Sequence, residues 1–268
     1  LDVELVELTS ANCCGGRVVD DADPDFVLTL NARTFALAEA QNLDVMTICS
    51  TCQQVMAEAN HRLKNDPNVL SRVNNTLSAV GLQYEGKVKV KHLLEVLVKD
   101  YGLSQLSKKV TNPLNNLRVA PFYGCRLLRP RELVEYDEPE RPSSLEDLIE
   151  SLGGQPVDYF GRNKCCGFPI LFVKPNVALK VAGMQLKDAK DHVADLIVTP
   201  CPLCHLTLDA YQPKVEKVMN TEFSMPILHL PQLVGLALGI QASELGLWRN
   251  MVSTETVLKK LEVYPVAK

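Results

Sequence analysis

The cysteines constrain this chain more than any other feature, because all nine of them fall into two similar groups. The second group reads C-x39-CC-G-x33-C-x2-C and consists of Cys125, Cys165, Cys166, Cys201 and Cys204. The first group reads CC-G-x33-C-x2-C and consists of Cys13, Cys14, Cys49 and Cys52. Each Cys-Cys-Gly segment therefore precedes a C-x2-C pair by the same interval, which indicates an internal duplication.

Paired cysteines in this pattern favour thiolate ligation. Thiolates are soft anionic ligands that commonly hold iron–sulfur clusters, and a helix N-terminus stabilises their charge. Adjacent cysteines diverge in extended backbone, so Cys165 and Cys166 would contact different atoms of a larger cluster. A single C-x2-C pair is also compatible with a thiol–disulfide redox pair or a zinc site. Five cysteines in one group, however, exceed what one zinc ion or one cubane cluster needs.

Length, charge and hydropathy narrow the class of protein. A chain of 268 residues can bury one large core or two modest ones. The net charge of −4 provides no basic footprint, so we expect no nucleic-acid partner. No apolar run approaches the ~18 residues that span a bilayer, and no signal peptide is visible. We expect a cytoplasmic protein, membrane-associated through a complex, and also expect that sequence precedes Leu1.

Strand and helix patterns alternate in the first half of the chain. Val3–Leu8 alternates apolar and acidic residues, as a half-buried strand does. The elements predicted after it are a helix at 26–42, a strand at 44–48, helices at 52–63 and 68–82, a strand at 87–91 and a helix at 92–101. The polar stretch 108–116 is predicted to link the two halves.

The second half repeats this order. Its predicted elements are strands at 117–123, 156–160 and 195–199, and helices at 145–152, 176–194 and 204–218. Strands that alternate with helices predict an α/β fold of two tandem pseudo-symmetric domains with mainly parallel sheets, at 1–110 and 117–268. The cysteines then lie in loops at the C-terminal ends of strands, where such folds place their ligands.

Histidine and basic residues give weaker indications. His205 follows Cys204 directly and could hydrogen-bond to a cluster or to a substrate. His92 and His229 occupy equivalent places in the two halves. Either a role in the site or a repeated helix start would explain this recurrence. Basic residues that could offset cluster charge, hold an anionic substrate or simply face solvent are Arg126, Arg129, Arg162 and Lys164.

The apolar segment 225–248 is a separate region of interest. It gathers Leu230, Leu233, Leu236 and Leu238 near Trp248 with few charges. We expect it to form core, a surface that docks a partner subunit, or an interfacial helix that makes peripheral contact with a membrane.

The two cysteine groups resemble the cysteine-rich CCG domain. The duplicated form, which covers nearly the whole chain, resembles the B-type subunit of heterodisulfide reductase and the E-type subunit of non-classical succinate:quinone reductases. The resemblance implies an iron–sulfur catalytic subunit of a multi-subunit redox complex, acting on a disulfide or thiol-bound sulfur substrate with flavin- and ferredoxin-type partner subunits. The alternative that it implies is an electron-transfer subunit of a membrane-associated dehydrogenase with a quinone substrate.

The resemblance also implies ligands. In the second group, a noncubane 4Fe–4S cluster would be held by Cys125, Cys165, Cys166, Cys201 and Cys204, with His205 as a further catalytic candidate. The first group lacks the upstream cysteine of the family pattern. Its four thiols (Cys13, Cys14, Cys49 and Cys52) are expected to hold a smaller cluster or zinc, or to belong to a full site when sequence precedes Leu1.

Overall fold

The structure, a computed structural model, describes residues 1–16, 19, 23–134 and 136–262. The chain forms two compact units, one of Leu1–Leu93 with Arg129–Glu135 and the other of Leu94–Leu128 with Tyr136–Lys268. Every strand pair in the described residues is parallel. Helices separate these strands along the chain, so the predicted α/β class with parallel sheets is confirmed.

The elements follow the predicted alternation. The strands are β1 (Val45–Thr47), β2 (Val90–His92), β3 (Arg118–Pro121), β4 (Gln155–Pro156), β5 (Leu196–Thr199) and β6 (Ile227–His229). The helices are α1 (Pro24–Glu39), α2 (Ser50–Asn65), α3 (Pro67–Leu77), α4 (Leu93–Glu95), α5 (Leu103–Lys109), α6 (Arg131–Val134), α7 (Ser144–Ser151), α8 (Pro175–Asp191), α9 (Pro202–His205), α10 (Gln212–Met219), α11 (Leu230–Ala237) and α12 (Glu255–Lys260). Helical turns of the π type follow α4 and α9, at Val96–Gly102 and Leu206–Ala210.

The first unit is built on a two-stranded sheet in which Val45 pairs with Val90. Its helices begin where the sequence places capping residues. Asp23 accepts a hydrogen bond from the N–H of Phe26 at the start of α1, and Asp66 does the same for α3. Proline follows each cap, where its missing N–H costs nothing. These helices pack beside α2 and fix the position of its N-terminus.

Residues 3–8 do not form the predicted strand, and Val3, Leu5 and Val6 are exposed. The equivalent segment of the second unit is β4, which begins ten positions before Cys165 and pairs with β3. The described part of the first unit has no strand that corresponds to β3. The alternating pattern is present, but none of the strands in the described residues lies beside this segment to accept or donate its hydrogen bonds.

The second unit contains a four-stranded sheet in the order β4-β3-β5-β6. The central strand β5 is buried along its whole length and pairs with β3 and β6 on its two sides. Such continuous apolar strands are typical of parallel sheets that helices cover on both faces. Because all four strands run in the same direction, the loops at their carboxyl ends meet at one edge of the sheet.

The compact units differ from the predicted domain limits at residues 94–116. Leu106 on α5 is fully buried in the second unit, where α5 packs against α7. The predicted linker is also part of this unit, because the N–H groups of Thr111 and Asn112 donate to the carbonyl of Ala237 and Leu114 is fully buried. The assignment of 1–110 and 117–268 as two CCG domains stays a prediction.

The segment 225–248 is mostly core, and the expectation of an interfacial helix is wrong for Leu230, Leu233 and Leu236, whereas Leu238 is half-buried. It forms β6 and α11, and Leu230, Leu233 and Leu236 are each at most 1% exposed. Trp248 is 62% exposed and does not continue the same face. Among the described residues, no helix combines the length and hydrophobicity needed to cross a bilayer.

Candidate metal centre

Several cysteines lie at the carboxyl ends of parallel strands, as the sequence predicts, whereas Cys13 and Cys14 follow no strand in the described residues. Cys49 follows β1, Cys125 follows β3 and Cys201 follows β5. In the described part of the chain, which includes all nine cysteines, no disulfide bond is formed. In the second unit, the loops at one edge of the sheet therefore carry the thiols.

The internal duplication extends to backbone conformation. Cys49 and Cys201 each precede the first residue of a helix, with φ and ψ of −133° and 120° for Cys49 and −131° and 120° for Cys201. Gly15 and Gly167, which close the two Cys-Cys-Gly segments, have φ of 92° and 90°. The two cysteine groups are thus presented by loops of matching geometry.

Side-chain hydrogen bonds join all four thiols of the first group, in the order Cys13, Cys14, Cys52 and Cys49. The Sγ atoms of Cys14 and Cys52 lie 3.3 Å apart, which is a hydrogen-bond contact and far longer than a disulfide bond of about 2 Å. The pKa of Cys52 is raised mainly by its hydrogen bond with Cys14 and secondly by its hydrogen bond with Cys49. The hydrogen bond with Cys52 in turn lowers the pKa of Cys14 to about 6. Cys13 is exposed. The buried Asn31 fixes this loop by donating to the carbonyl of Cys14 at 3.1 Å.

The second group forms one continuous chain of sulfur contacts. Side-chain hydrogen bonds join its thiols in the order Cys125, Cys165, Cys166, Cys204 and Cys201. The bonds with Cys125 and Cys166 lower the pKa of Cys165 to about 2, and the bond with Cys165 raises the pKa of Cys166 to about 12. The pKa values of Cys125 and Cys204 are also raised, because each thiol has a sulfur neighbour and is buried.

This donor set fits a multi-iron cofactor. Several thiolate sulfurs held this close together repel one another unless a cation compensates their charge, and bound metal supplies that positive charge. In the part of the chain that the structure describes, no three or more His, Cys, Asp or Glu side chains are placed so that together they could hold a single metal ion. The thiols are joined as successive pairs instead, so different cysteines would contact different atoms of a cluster.

Two glycines allow the backbone to approach the sulfurs. A Cβ atom on Gly124 would lie 3.1 Å from the Sγ atom of Cys204. A Cβ atom on Gly167 would lie 2.6 Å from the carbonyl oxygen of Ala178 on α8. Both glycines also have positive φ, which other residues adopt at a cost. The Cys165–Cys166 loop is therefore held against α8 by a contact that requires glycine.

The basic residues near the second cysteine group differ in what their side chains contact. The pKa of Cys165 is lowered mainly by its thiol neighbours, and the positive charge of Arg126 adds to that shift. Arg162 instead lies 3.5 Å from Glu146 and also pairs with Asp158. Lys164 lies 4.4 Å above the ring of Phe160. Arg126 therefore fits the expected role of offsetting negative charge, whereas Arg162 and Lys164 bind other side chains.

His205 is oriented by a backbone carbonyl. Its Nε2 atom lies 3.2 Å from the carbonyl oxygen of Ile227, which also accepts a hydrogen bond from Asn250 at 2.7 Å. Burial lowers the pKa of His205 and favours the neutral ring. The rings of His205 and His229 lie 6.4 Å apart. The structure thus brings two of the histidines noted in the sequence close together beside Cys204.

Tyr123 is a residue of this site that the sequence pattern did not single out. Its hydroxyl accepts a hydrogen bond from the N–H of Leu145 at 2.7 Å and donates to the carboxylate of Glu146. Its own N–H donates to the carbonyl of Arg162 at 2.8 Å. Tyr123 therefore ties the Cys125 loop to the segment that precedes Cys165. The only available signal was its place two residues before Cys125.

The parallel α/β fold and the convergent thiols define a cysteine-rich redox subunit. The chain matches the cysteine-rich domain family CCG over residues 1–57 and 119–209, and it belongs to that family.

Named relatives extend over nearly the whole chain. The chain is 39% identical over 94% of its length to the 8-methylmenaquinol:fumarate reductase membrane anchor subunit of Wolinella succinogenes, and it covers 87% of that protein. It is 35% identical over 97% of its length to the B-type subunit of the ferredoxin/F(420)H(2)-dependent CoB-CoM heterodisulfide reductase of Methanosarcina acetivorans, covering 88% of it. The corresponding heterodisulfide reductase subunit from Methanosarcina mazei is 33% identical with the same coverages. The predicted resemblance and the predicted class, an oxidoreductase subunit, are confirmed.

A solved structure supports the fold. A hypothetical protein from Helicobacter pylori superposes with a TM-score of 0.73 over 91% of this chain, at 17% sequence identity. The chain spans 45% of that protein, so this similarity concerns the architecture alone. The family match and the reductase relatives support iron–sulfur clusters as the cofactor.

Proposed function

We propose that this chain is the iron–sulfur catalytic subunit of a multi-subunit complex that reduces or oxidises a disulfide or thiol-bound sulfur substrate. The observation that carries the proposal is the continuous chain of five sulfurs in the second group. The similarity to the B-type subunits of two heterodisulfide reductases, at 35% and 33% identity, supports the same reaction class.

The proposal assigns ligands to both groups. Cys125, Cys165, Cys166, Cys201 and Cys204 would hold a noncubane 4Fe–4S cluster, and Cys13, Cys14, Cys49 and Cys52 a smaller cluster or zinc. Such a cluster supplies or accepts single electrons when it is bound. Burial of Cys166, Cys201 and Cys204 excludes water from one side of the group, whereas Cys125 and Cys165 are partly exposed. A substrate would therefore approach from the Cys125 and Cys165 side.

The protein residues around the thiols have separate tasks in this proposal. Arg126 would reduce the negative charge at Cys165. Because the Nε2 atom of His205 is engaged by Ile227, any proton that this ring holds or moves for a leaving thiol would be at Nδ1. The sequence has no dinucleotide fingerprint and no cubane ferredoxin motif, so flavin- and ferredoxin-type partner subunits would deliver the electrons. A cytoplasmic location, with membrane association through the complex, stays a prediction.

Anaerobic purification tests the proposal. We expect stoichiometric iron and acid-labile sulfide, a visible absorption that dithionite bleaches, and dye-linked reduction of a mixed disulfide by the assembled complex. Stoichiometric zinc with negligible iron, after a preparation that preserves clusters, would contradict it.

A second candidate function is an electron-transfer subunit of a quinone-linked dehydrogenase. The observation that favours it is the 39% identity to a protein named as the membrane anchor subunit of a menaquinol:fumarate reductase. Parallel assays of the same complex with a menaquinol analogue and with a disulfide distinguish the two candidates. Turnover with the quinol alone would support the second candidate and reject the first.

A further inference from the structure

An exposed apolar surface lies next to the second cysteine group, and binding of a cofactor by the cysteines does not account for its exposure. It is formed by the turn that follows Gly167 and by the first turns of α8, and we call it the basic–apolar face. It consists of Ile170, Phe172, Val173, Lys174, Val177, Lys180 and Met184. Phe172, Val173 and Met184 are 75%, 74% and 62% exposed, which is unusual for large apolar side chains.

Helical spacing explains why these side chains share one face. Val177, Lys180 and Met184 follow one another at intervals of three and four positions on α8, so they lie on the same side of the helix. The opposite side of α8 carries Ala182 and Leu186, which are fully buried in the second unit. One side of α8 is therefore buried in the core, and the other side exposes apolar and basic side chains to solvent.

The charged residues of this face are all basic. From Gly161 to Lys187 the sequence contains five basic residues and no acidic residue. Lys187 pairs with Asp191, whereas Lys174 and Lys180 form no ion pair within the described residues. Two lysines available for an external anion thus stand between exposed apolar side chains.

This combination fits an anionic bilayer better than a protein partner. Apolar side chains that enter the acyl boundary, with lysines beside them at the phosphates, are typical of proteins that bind the membrane interface. Protein–protein interfaces are depleted in lysine at their centres. Here Lys174 lies between Val173 and Val177 along the chain, and Lys180 lies between Val177 and Met184.

We propose that the basic–apolar face binds the surface of a bilayer that contains anionic phospholipid. Val173 and Phe172 would enter the interface, and Lys174 and Lys180 would contact lipid phosphates. Because Gly167 packs directly on Ala178 of α8, this attachment would hold the Cys165–Cys166 loop beside the membrane surface. The binding requires no particular redox activity, so it succeeds or fails independently of the proposed function.

Vesicle co-sedimentation of the purified full chain tests the proposal. We expect the protein to sediment with vesicles of equimolar phosphatidylcholine and phosphatidylglycerol, and about tenfold less with phosphatidylcholine alone. Phe172→Ser with Val173→Ser should weaken binding to the mixed vesicles by about tenfold. Lys174→Glu with Lys180→Glu should remove the preference for phosphatidylglycerol.

Matched controls use the same chemistry elsewhere on the second unit. Trp248→Ser with Met251→Ser changes two exposed apolar residues, and Lys108→Glu with Lys217→Glu reverses two exposed charges. Both control pairs should sediment like the wild type, and thermal unfolding should show that all variants are folded.

Four results would overturn the proposal, of which the first three concern vesicle binding alone. These three are an absence of sedimentation of the wild type with either vesicle, equal binding by the face variants and the wild type, and equal losses in the control pairs. A face variant that binds vesicles normally but no longer copurifies with a partner subunit would also overturn it, and would assign the face to protein docking.

Discussion

Gly167 and Ala178 are in such close contact that a methyl group on Gly167 would lie 2.6 Å from the Ala178 carbonyl oxygen. We therefore expect Gly167→Ala to displace the Cys165–Cys166 loop. The positive φ of this position alone should cost about 1–3 kcal/mol of unfolding free energy, and the steric overlap adds to this. Urea unfolding and iron content of the anaerobic protein measure the two effects.

Gly15→Ala is the matched control for this substitution. Gly15 has nearly the same φ, but its added methyl would meet side chains and not a backbone carbonyl, with Val27 at 3.3 Å and Val19 at 3.9 Å. A side chain can move more easily than a backbone carbonyl, so Gly15→Ala should be less destabilising. Equal losses in the two variants would show that the Ala178 contact is not decisive.

Cys165→Ser and Cys13→Ser should have unequal effects. Cys165 touches the sulfurs on both sides of it, whereas Cys13 is exposed in a group of four. We expect Cys165→Ser to remove most of the iron and to abolish turnover, and Cys13→Ser to remove less iron. Iron analysis and electron paramagnetic resonance spectra of both variants check this. Equal losses of iron would mean that the two groups hold equivalent cofactors.

The stability of the second unit should depend on the ionisation of Glu146. Burial raises the pKa of Glu146 above its ordinary value of 4.5, although Tyr123 and Arg162 act in the opposite direction. The folded protein thus binds this proton more tightly than the unfolded chain does. The contribution of Glu146 to stability is complete below pH 4.5 and is lost as the pH rises through its folded-state pKa.

Glu146→Gln removes that dependence. The unfolding free energy of the variant, relative to the wild type, should increase as the pH rises from 4.5 towards neutrality. Glu150→Gln on the exposed side of α7 is the control and should show no such trend. Urea unfolding across this pH range gives the comparison, and a relative stability of Glu146→Gln that falls with pH would refute the expectation.

His205→Ala and Asn250→Ala separate a chemical role from a structural one. Each variant removes one of the two side chains that contact the Ile227 carbonyl, so each should cost about 1 kcal/mol of stability. If His205 moves a proton, His205→Ala lowers turnover by about tenfold or more at unchanged iron content, and Asn250→Ala does not. Equal turnover losses would assign His205 to structure alone.

Local sequence signals were sufficient for much of the fold. The spacing of Cys14 from Cys49 and of Cys166 from Cys201 revealed the duplication, which the backbone angles of Cys49 and Cys201 reproduce. The helices predicted from 26 and 68 begin at Pro24 and Pro67, within two residues of the prediction, because helix-start signals act within one turn. The strand ends then followed from the positions of the cysteines.

Features that depend on distant partners were not predictable in this way. The pattern of Val3–Leu8 is that of a strand, but strand formation also needs a neighbour. The hydrophobicity of Leu233 indicated burial without telling core from interface, and the structure buries it completely. The role of Tyr123 depends on Glu146, whose proximity only the folded sheet creates.

The order in which the thiols leave the ribosome differs between the two groups. The first group is fully synthesised once Cys52 has emerged, whereas the second waits for Cys204, and its central strand β5 lies between β3 and β6. The thiol of Cys125 therefore emerges well before its sulfur neighbour Cys165 and before the C-x2-C pair that completes its group. If the second group holds the proposed cluster, its insertion cannot be complete before Cys204 has been synthesised, and Cys125 is the thiol of that group that waits longest.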